Sequence, residues 1–391
     1  MSEWQNFKLR EVGTLQRGRS RHRPRYAFHL FNGPYPFIQT GEVREARKYV
    51  STFENTYSEA GLAQSKLWPK GTLCITIAAN IAELAILGFD ACFPDSVLGF
   101  IPDETRSDLD FVYYTLTHFQ KQLKHIGEGS VQDNINLGTF EDIEFPFPSL
   151  TEQKAIASVL SSLDDKIDLL HRQNKTLEAM AETLFRQWFI EEAKEDWEIF
   201  QLQDLAKLQI GRTPPRKESH WFSDNTNDMK WVSIKDLGAH GIFVTYSSEY
   251  LPISTIDHFN IPIIPEGTVM LSFKMTVGRV GIAIENMVSN EAIAQFQIKK
   301  RLTSELLYCF LKQFNFDTLG STSSIVTAVN TALLKGIEIA LPEDDLIQEF
   351  TEQVKSYFDK VKANQLQIQT LENLRDTLLP KLMSGEVRVQ Y

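Results

Sequence analysis

Basic residues are concentrated in one short segment near the start of the chain. Five arginines lie within residues 17–25, and glycine and proline in the same segment favour a loop. A guanidinium pairs with phosphate and can bond in bidentate fashion to O6 and N7 of guanine, so this arginine loop is a candidate for nucleic-acid contact. A run of arginines is also typical of a solvated surface, and the net charge of −11 is not that of a chain that coats nucleic acid. The candidate residues are Arg17, Arg19, Arg21, His22, Arg23 and Arg25.

Further candidates lie outside the arginine loop. Residues 211–217 form a second basic loop, in which two prolines disfavour regular structure. Short polar side chains that can reach base edges follow a predicted strand at 35–38 and occupy a serine-rich loop at 321–324. The basic candidates in the second half of the chain are Arg212, Arg216, Lys217, Lys235, Lys274 and Arg279, and the polar candidates are Gln39, Thr40, Ser321 and Ser323.

Motifs for catalysis are missing from the sequence. It has no Gly-x-x-x-x-Gly-Lys-Ser/Thr phosphate loop, no Asn-Pro-Pro-aromatic run of an amino-methyltransferase, no His-Glu-x-x-His and no Gly-x-Ser-x-Gly. The nearest set to a nuclease site is Asp142, Glu152 and Lys154, but helix capping explains Glu152 without chemistry. The cysteines are isolated and lack metal-ligand spacing. We expect no catalytic residue, metal or cofactor in this chain, and therefore no enzyme.

A long helix starting near residue 151 is the most regular element that can position these loops. Its apolar residues recur in alternating steps of four and three, which is the a/d seam of a coiled coil. Ser149 and Glu152 form a capping box, and Pro148 prevents an earlier start. No small domain can cover so long a helix alone, so the seam requires a partner. The seam residues are Ile156, Leu160, Leu163, Ile167, Leu170, Asn174, Leu177 and Leu184.

The C-terminal segment supplies the partner helix, with the same seam spacing from Phe350 until Ser384 and Gly385 end it. Each seam contains one asparagine, Asn174 and Asn364. A polar residue in a seam usually fixes the alignment of two helices, and we interpret the pair in that way; the alternative is that either one is solvated. The second seam comprises Val354, Val361, Asn364, Ile368, Leu371 and Leu378.

The two halves of the chain are copies of one unit. Gly18-Arg19 recurs as Gly211-Arg212, 193 residues later, and Thr176-Leu177-Glu178 recurs as Thr370-Leu371-Glu372, 194 residues later. An offset that stays nearly constant along a chain indicates an internal repeat. Each copy is a globular domain followed by a long helix.

Short strands, turns and a few helices in no regular beta-alpha order predict an α+β fold for each globular domain. The architecture is two pseudo-repeated globular domains joined by two long helices that pair with each other as a coiled coil. The predicted boundaries are 1–150 for the first domain, 151–195 for the first helix, 196–343 for the second domain and 344–391 for the second helix.

Composition and hydropathy limit where the protein works. At 391 residues with 42% hydrophobic and 23% charged residues, the chain has the make-up of a globular protein with room for two cores. The first 25 residues lack the apolar segment of a signal peptide, and the longest apolar run, 73–87, is too short and too polar to span a bilayer. Isolated cysteines suit a reducing compartment. We expect a cytoplasmic protein with no membrane partner.

The whole chain resembles the specificity (S) subunit of type I restriction-modification enzymes. The second helix departs from the first because it begins Glu343-Asp344-Asp345 and lacks the Glu-Gln start of 152–153. The segments that carry the resemblance are Leu150–Ile156, Leu163–Ile167 and Leu184–Phe189 in the first helix, Gly211–Pro214 and Trp231–Leu237 in the second domain, and Leu378–Gly385 in the second helix.

The resemblance implies that the chain reads double-stranded DNA but leaves catalysis to its partners. It also implies that the globular domains are target recognition domains and that the two long helices pair as an antiparallel coiled coil. Each recognition domain would read one half of an asymmetric bipartite target, and the helices would set the spacer and dock two modification subunits. Those subunits would methylate adenine with S-adenosylmethionine, and restriction subunits would translocate and cut DNA with ATP and Mg.

Two other classes of function stay open on the residues alone. One is a stand-alone, pseudo-dimeric DNA-binding protein, which a stable complex with modification subunits would exclude. The other is a coiled-coil scaffold that binds no DNA and would tolerate loss of the arginine loop.

Overall fold

The computed structural model describes residues 4–128, 138, 142–239, 241–299, 301–319 and 329–390. The chain forms two compact units: unit 1 comprises Met1–Lys166 and Leu371–Tyr391, and unit 2 comprises Ile167–Thr370. Each unit contains one globular domain and part of each long helix. This division differs from the sequence-based boundaries, which assigned each helix to a segment of its own.

Unit 1 is built on a five-stranded sheet of order β2-β10-β7-β8-β4, accompanied by a four-stranded sheet β5-β3-β9-β6 and a pair β1-β11. Its strands are β1 (Gln5–Lys8), β2 (Gly13–Arg17), β3 (Phe31–Phe37), β4 (Tyr49–Val50), β5 (Asn55–Tyr57), β6 (Leu67–Trp68), β7 (Leu73–Thr76), β8 (Leu84–Leu87), β9 (Ala91–Cys92), β10 (Val97–Pro102) and β11 (Glu144–Phe147). Its shorter helices are α1 (Leu9–Val12), α2 (Thr40–Glu45), α3 (Glu59–Ala63) and α4 (Leu109–Glu128), with a 3₁₀ turn at Phe28–Leu30.

The central strands of this sheet are buried on both faces, which explains their nearly continuous apolar sequences. One face packs against α4 and the long helices, where Leu73 and Ile75 share a core with Phe111 and Ile156. The other face, which includes Cys74, packs against Trp68, Phe93 and their neighbours. The edge strand β4 pairs parallel to β8, whereas β2, β10, β7 and β8 form antiparallel pairs.

Unit 2 repeats this plan with a five-stranded sheet of order β13-β20-β17-β18-β15, a three-stranded sheet β16-β14-β19 and a pair β12-β21. Its strands are β12 (Glu198–Gln201), β13 (Ala206–Ile210), β14 (Met229–Val232), β15 (Phe243–Val244), β16 (Glu249–Leu251), β17 (Val269–Ser272), β18 (Val280–Ala283), β19 (Val288–Ser289), β20 (Ile293–Ile298) and β21 (Glu338–Leu341). Its shorter helices are α6 (Leu202–Leu205), α7 (Ile234–Ala239), α8 (Ile253–His258), α9 (Ser304–Gln313) and α10 (Thr331–Lys335), with 3₁₀ turns at Ser219–Trp221 and Phe316–Leu319.

The two five-stranded sheets correspond strand for strand. In each, the edge strand β4 or β15 pairs parallel to its neighbour while the other pairs are antiparallel. In unit 2, Val269 and Leu271 face α9 and the long helices, whereas Met270 and Ile293 face α7 and the smaller sheet. The internal repeat and the α+β class predicted from the sequence are confirmed.

The long helices are α5 (Leu150–Arg186), continued by a π-helical turn at Gln187–Glu191, and α11 (Asp344–Met383). The start of α5 is capped, since the Ser149 hydroxyl accepts a bond from the Glu152 amide at 3.3 Å. Within both units α5 and α11 lie side by side. This pairing buries the apolar stripe of each helix, which would be unfavourable in water.

The pairing is antiparallel within each unit. In unit 2, Asn364 Nδ2 donates to Asn174 Oδ1 at 2.8 Å, and the rings of Trp188 and Phe350 are 6.0 Å apart. Trp188 lies fourteen residues after Asn174, and Phe350 lies fourteen residues before Asn364, as an antiparallel register requires. In unit 1, Leu382 near the end of α11 shares a core with residues near the start of α5, namely Ile156, Ala157 and Leu160.

Among the helices that the structure describes, none combines the length and apolar character of a membrane span.

Candidate DNA interface

The arginine loop leaves one end of the unit 1 sheet. Strand β2 ends at Arg17. The next amides bond to the start of β10 and to the segment before it, Gly18 N to Val97 O at 2.8 Å and Arg19 N to Phe93 O at 3.0 Å. The hairpin between β7 and β8, residues 77–83, starts at the same end, where Ile77 N bonds to Ser96 O at 2.9 Å. We call the arginine loop, residues 93–96 and this hairpin the loop end of unit 1.

Three of the five arginines hold the loop together. The Arg17 Nε donates to the carbonyl of Asp95, and the Arg25 guanidinium pairs with the Asp95 carboxylate at 2.9 Å. The Arg23 Nη1 donates to the carbonyls of Ser20 and His22, each at 2.8 Å. A guanidinium used in this way fixes the loop and has fewer donors left for DNA.

The other two arginines take no part in these bonds. Arg19 and Arg21 are exposed, and within the part of the chain that the structure describes their side chains make no hydrogen bond or ion pair. Their backbones are fixed, because the Arg21 amide donates to Gln64 Oε1 at 2.7 Å and the Arg19 carbonyl accepts from Ser65 at 2.7 Å. Fixed backbones with available guanidiniums are the arrangement expected of DNA-contacting arginines.

The polar candidates of the first domain lie beside the arginine loop. Gln39 and Thr40 line a cleft of about 60 Å³ together with Arg25 and Tyr26. The Tyr26 hydroxyl lies 3.5 Å from Gln39 Oε1. His22 is half-buried, its ring stacking edge-on with that of His29 at a centroid distance of 5.0 Å.

The second basic loop leaves the corresponding end of the unit 2 sheet. After β13, Gly211 N bonds to Ile293 O at 3.4 Å and Arg212 N bonds to Ser289 O at 2.9 Å. The hairpin between β17 and β18, residues 273–279, begins there too, with Phe273 N bonded to Ala292 O at 3.0 Å. We call residues 211–217, 289–292 and 273–279 the loop end of unit 2.

All three arginine candidates of unit 2 have contacts within the fold. Arg212 Nη1 donates to the Phe259 carbonyl at 2.8 Å, and Arg279 Nη1 donates to the Ile234 carbonyl at 2.7 Å. Arg216 pairs with Glu249, and its guanidinium lies 4.5 Å from the centroid of the Trp231 ring.

The lysines of unit 2 are more available. Lys217, Lys235 and Lys274 are exposed, and none has a hydrogen bond or ion pair within the described residues. Burial acts to raise the pKa of the nearby Glu291 carboxyl, but the hydrogen bond from Thr213 and the charges of Lys274 and Arg216 hold that pKa below its ordinary value. The loop end of unit 2 is therefore positive around a single ionised carboxylate.

Some candidates cannot be placed, and others have structural roles. Ser321 and Ser323 lie outside the described residues. Glu152 is buried at the start of α5, 3.7 Å from the Arg388 guanidinium, and Asp142 lies 3.5 Å from Lys8 Nζ. Across the described ranges, no group of His, Cys, Asp and Glu could hold a metal ion.

The seam residues are buried or half-buried, and several of them, such as Ile156 and Val354, also pack against the globular domain of their unit. Ile156, Leu160, Ile167, Leu170, Asn174, Val354, Val361, Asn364 and Ile368 are buried, and Leu163, Leu177, Leu184, Leu371 and Leu378 are half-buried.

The aromatic residues at the end of α5 close its junction with the second domain. The Phe189 ring lies 5.0 Å from Phe350 and 5.8 Å from Trp197, and Phe185 stacks on Phe189 at 5.2 Å. Since Phe185 and Phe189 are buried, their main role is in the core.

A polar network in unit 1 was not predicted from the sequence. Lys48 is buried, 3.0 Å from Asp110 and 2.8 Å from the Ser161 hydroxyl, and Tyr114 donates to Asp164 at 2.5 Å. The other Asp164 oxygen accepts from Arg375 Nη1 at 2.8 Å. Seam spacing identifies apolar positions only, so a network whose members come from four segments leaves no periodic signal.

The fold and its loop ends define a class of protein: an internally duplicated α+β chain that carries a basic loop at the same end of each sheet and pairs two long helices. The family model for the type I restriction modification DNA specificity domain matches residues 1–179 and 194–373. The chain belongs to this family.

Curated relatives and a solved structure agree with this assignment. The chain is 26% identical to the type I restriction enzyme MjaIX specificity subunit of Methanocaldococcus jannaschii, over 99% of this chain and 94% of the relative. It is 22% identical to the HindI specificity subunit of Haemophilus influenzae, over 99% of this chain and all of the relative. The crystal structure of a type I restriction-modification S subunit from M. genitalium has the same fold, with a TM-score of 0.62, 16% identity and coverage of 97% of this chain and 96% of that one.

Specificity subunits are the non-catalytic component of type I restriction-modification systems, so this chain is not itself an enzyme.

Proposed function

We propose that this chain selects the DNA target of a type I restriction-modification complex, with each recognition domain reading one half of an asymmetric bipartite sequence. The observation that carries the proposal is the matched placement of a basic loop, a short connecting segment and a hairpin at the same end of both five-stranded sheets. Loops on a rigid scaffold are the usual position for recognition residues. Because the two loop ends differ in sequence, the two half-sites would differ as well.

Arg19 and Arg21 are the strongest candidates for contacts in the first half-site, and Lys217, Lys235 and Lys274 in the second. These exposed side chains are not used by the fold around them, unlike Arg17, Arg25 and Arg279. Gln39, Thr40, Arg212 and Arg216 border the same regions and would contribute polar contacts. A chain with net negative charge can bind DNA in this way when its positive charge is concentrated at the loop ends and the partner subunits supply the rest of the DNA-binding surface.

The long helices would fix the spacer between the two half-sites. Half-site separation in DNA-binding dimers follows from the geometry of the dimer element, and the Asn174–Asn364 bond gives these helices one register. The faces of α5 and α11 outside the seam are the surface we assign to two modification subunits. Those partners would supply S-adenosylmethionine chemistry, and restriction subunits would supply ATP- and Mg-dependent translocation and cleavage, in the cytoplasm.

Methylome sequencing tests the proposal directly. A host that expresses the partner modification subunit is sequenced with and without this chain, and we expect a methylated-adenine motif of two short halves around a fixed gap only when the chain is present. Absence of a new motif, with expression and partner binding verified, would contradict DNA selection and favour a scaffold.

A pair of variants adds a control. Arg19→Ala with Arg21→Ala should relax or abolish the first half of the motif, whereas Lys70→Ala with Lys121→Ala, which also removes two exposed charges from unit 1, should leave the motif intact. Equal loss of the motif in both variants would show that recognition depends on the total positive charge of unit 1 and not on the position of the arginines in the loop.

A further inference from the structure

An exposed methionine stands at the tip of the hairpin in the loop end of unit 2. Met275 is 96% exposed, the largest exposed fraction among the large apolar side chains of the described residues. Single exposed apolar side chains are common on protein surfaces, so the exposure of Met275 gains significance only from its position at a hairpin tip in a cationic loop end.

The backbone holds this side chain in a conformation that methionine does not favour. Met275 has a φ of 59°, in the left-handed region where glycine or asparagine is usual. Residues other than glycine are uncommon in that region, so the position is a candidate for a functional side chain.

The hairpin is rigid where it carries Met275. The buried Ser272 hydroxyl donates to the Thr276 carbonyl at 2.6 Å and accepts from the Arg279 amide at 3.0 Å. The Gly278 amide also donates to the Ser272 carbonyl at 3.0 Å. Because these bonds hold the turn, its backbone loses little conformational freedom when Met275 binds, and only the side chain itself has to be ordered.

Unit 1 has the same hairpin without the long side chain. The Thr76 hydroxyl donates to the Asn80 carbonyl and accepts from the Glu83 amide, as Ser272 does in unit 2. Ala79 occupies the position of Met275, 196 residues earlier, with a φ of 65°. The left-handed tip is therefore common to both domains, and only the second adds a long apolar side chain to it.

The surroundings of Met275 match the chemistry of DNA. Lys274 is its exposed neighbour, and the bond from Arg279 to Ile234 brings Lys235 at the start of α7 towards the same hairpin. Phosphates attract the cations, while a stacked base step is the apolar surface that a methionine can enter.

We propose that Met275 is an apolar wedge that inserts at one base step of the half-site read by the second domain. The inference rests on the proposed function and adds a mechanism by which the second domain recognises its half-site. Insertion partly unstacks the step, so sequences that unstack readily at that position are selected without a hydrogen bond to their bases.

The test uses the assembled complex of this chain with its modification subunits and the target found by methylome sequencing. 2-Aminopurine is placed singly at positions of the second half-site other than the methylated adenine, and its fluorescence reports unstacking. The wild-type complex should raise fluorescence at one step. Met275→Ala, which gives the tip the side chain of Ala79, should abolish that rise and weaken specific binding about tenfold.

Two further variants and two possible outcomes make the test decisive. Met275→Leu should retain both effects, and Ile199→Ala, which truncates a side chain 65% exposed on β12, should behave as wild type. If Met275→Ala unstacks and binds the target as the wild type does, the wedge is wrong although DNA selection stands. If the wild-type complex does not prefer its target to a scrambled duplex, the proposed function itself fails.

Discussion

The globular domains of units 1 and 2 share one scaffold but differ in side-chain chemistry at two places. One is the loop end, where we propose contact with DNA, and the other is the attachment of each domain to the long helices. At the loop ends, unit 1 offers exposed arginines and a small hairpin tip, whereas unit 2 offers exposed lysines and Met275. Arginine suits bidentate base recognition, and lysine acts as a point charge on phosphate. Under the proposed function, the first half-site would be read through hydrogen bonds and the second more through position and deformability.

The attachment of each domain to the long helices shows the same contrast. In unit 1, Tyr114 of α4 bonds to Asp164 of α5, which also pairs with Arg375 of α11. In unit 2 the equivalent tyrosine, Tyr308, packs its ring 5.7 Å from Phe358, which stands 194 residues after Asp164. Tyr308 bonds to Glu178 at 2.6 Å instead. One packing geometry therefore tolerates either an ion pair or an aromatic contact at the same position.

The largest effect is expected from removing the charged attachment. Asp164→Ala leaves the Tyr114 hydroxyl without its acceptor and the Arg375 guanidinium with Asp376 as its remaining carboxylate partner, and should destabilise unit 1 by about 3 kcal/mol. The equivalent apolar change, Phe358→Leu, keeps most of its volume and should cost about 1 kcal/mol. Chemical denaturation of both variants measures the difference. Equal costs would show that the two attachments are energetically alike in spite of their chemistry.

An exchange of arginine and lysine tests the contrast at the loop ends. Arg19→Lys with Arg21→Lys keeps the charge, so the salt dependence of DNA binding should not change. Discrimination between bases at the first half-site should fall by about 1–3 kcal/mol for each base that a guanidinium no longer contacts. Lys217→Arg with Lys274→Arg should leave discrimination at the second half-site within about 0.5 kcal/mol. Binding of single-base variants of the target at several salt concentrations measures both quantities. A similar fall in the two exchanges would remove the distinction between the domains.

The smallest effect concerns alkaline pH, which should act on both units because each contains a buried cysteine thiol. Burial raises the pKa of Cys309 in unit 2, as it raises those of the cysteines in unit 1. Burial raises the pKa of the Cys92 thiol from 9.0 to about 11, so the folded thiol stays protonated at pH values where an unfolded one ionises. The stability of unit 1 is unaffected by this group below pH 9 and should fall as the pH rises from 9 towards 11. Cys92→Ala should flatten that decline in a denaturation series, and a decline unchanged in the variant would assign it to other groups.

Much of the plan was readable from the sequence because it rests on periodic or repeated signals. The steps of four and three identified the seams of α5 and α11, and the near-constant offset identified the duplication. Proline and serine fixed the start of α5 close to residue 150, where the structure has it. The cluster of arginines indicated one of the two loop ends, and the motif segments indicated the family.

Other features depend on contacts that no local pattern encodes. The five arginines are equivalent candidates by sequence. In the structure, Arg17 and Arg25 bond to Asp95, and Arg23 bonds to the carbonyls of Ser20 and His22. The sequence placed Asn174 and Asn364 in their seams without showing that they bond to each other. It gave no sign of the network around Lys48, whose partners are 62 to 113 residues away.

The amino-acid sequence by itself determined the duplicated α+β plan, the two paired helices and the basic character of the loops. These follow from local propensity and from burial patterns that repeat at short intervals. Only the tertiary structure decided which cations remain available, which polar groups are paired inside each unit, and that Met275 stands in solvent at a rigid tip. Those outcomes depend on which distant groups folding brings within hydrogen-bond distance, and sequence spacing does not record that distance.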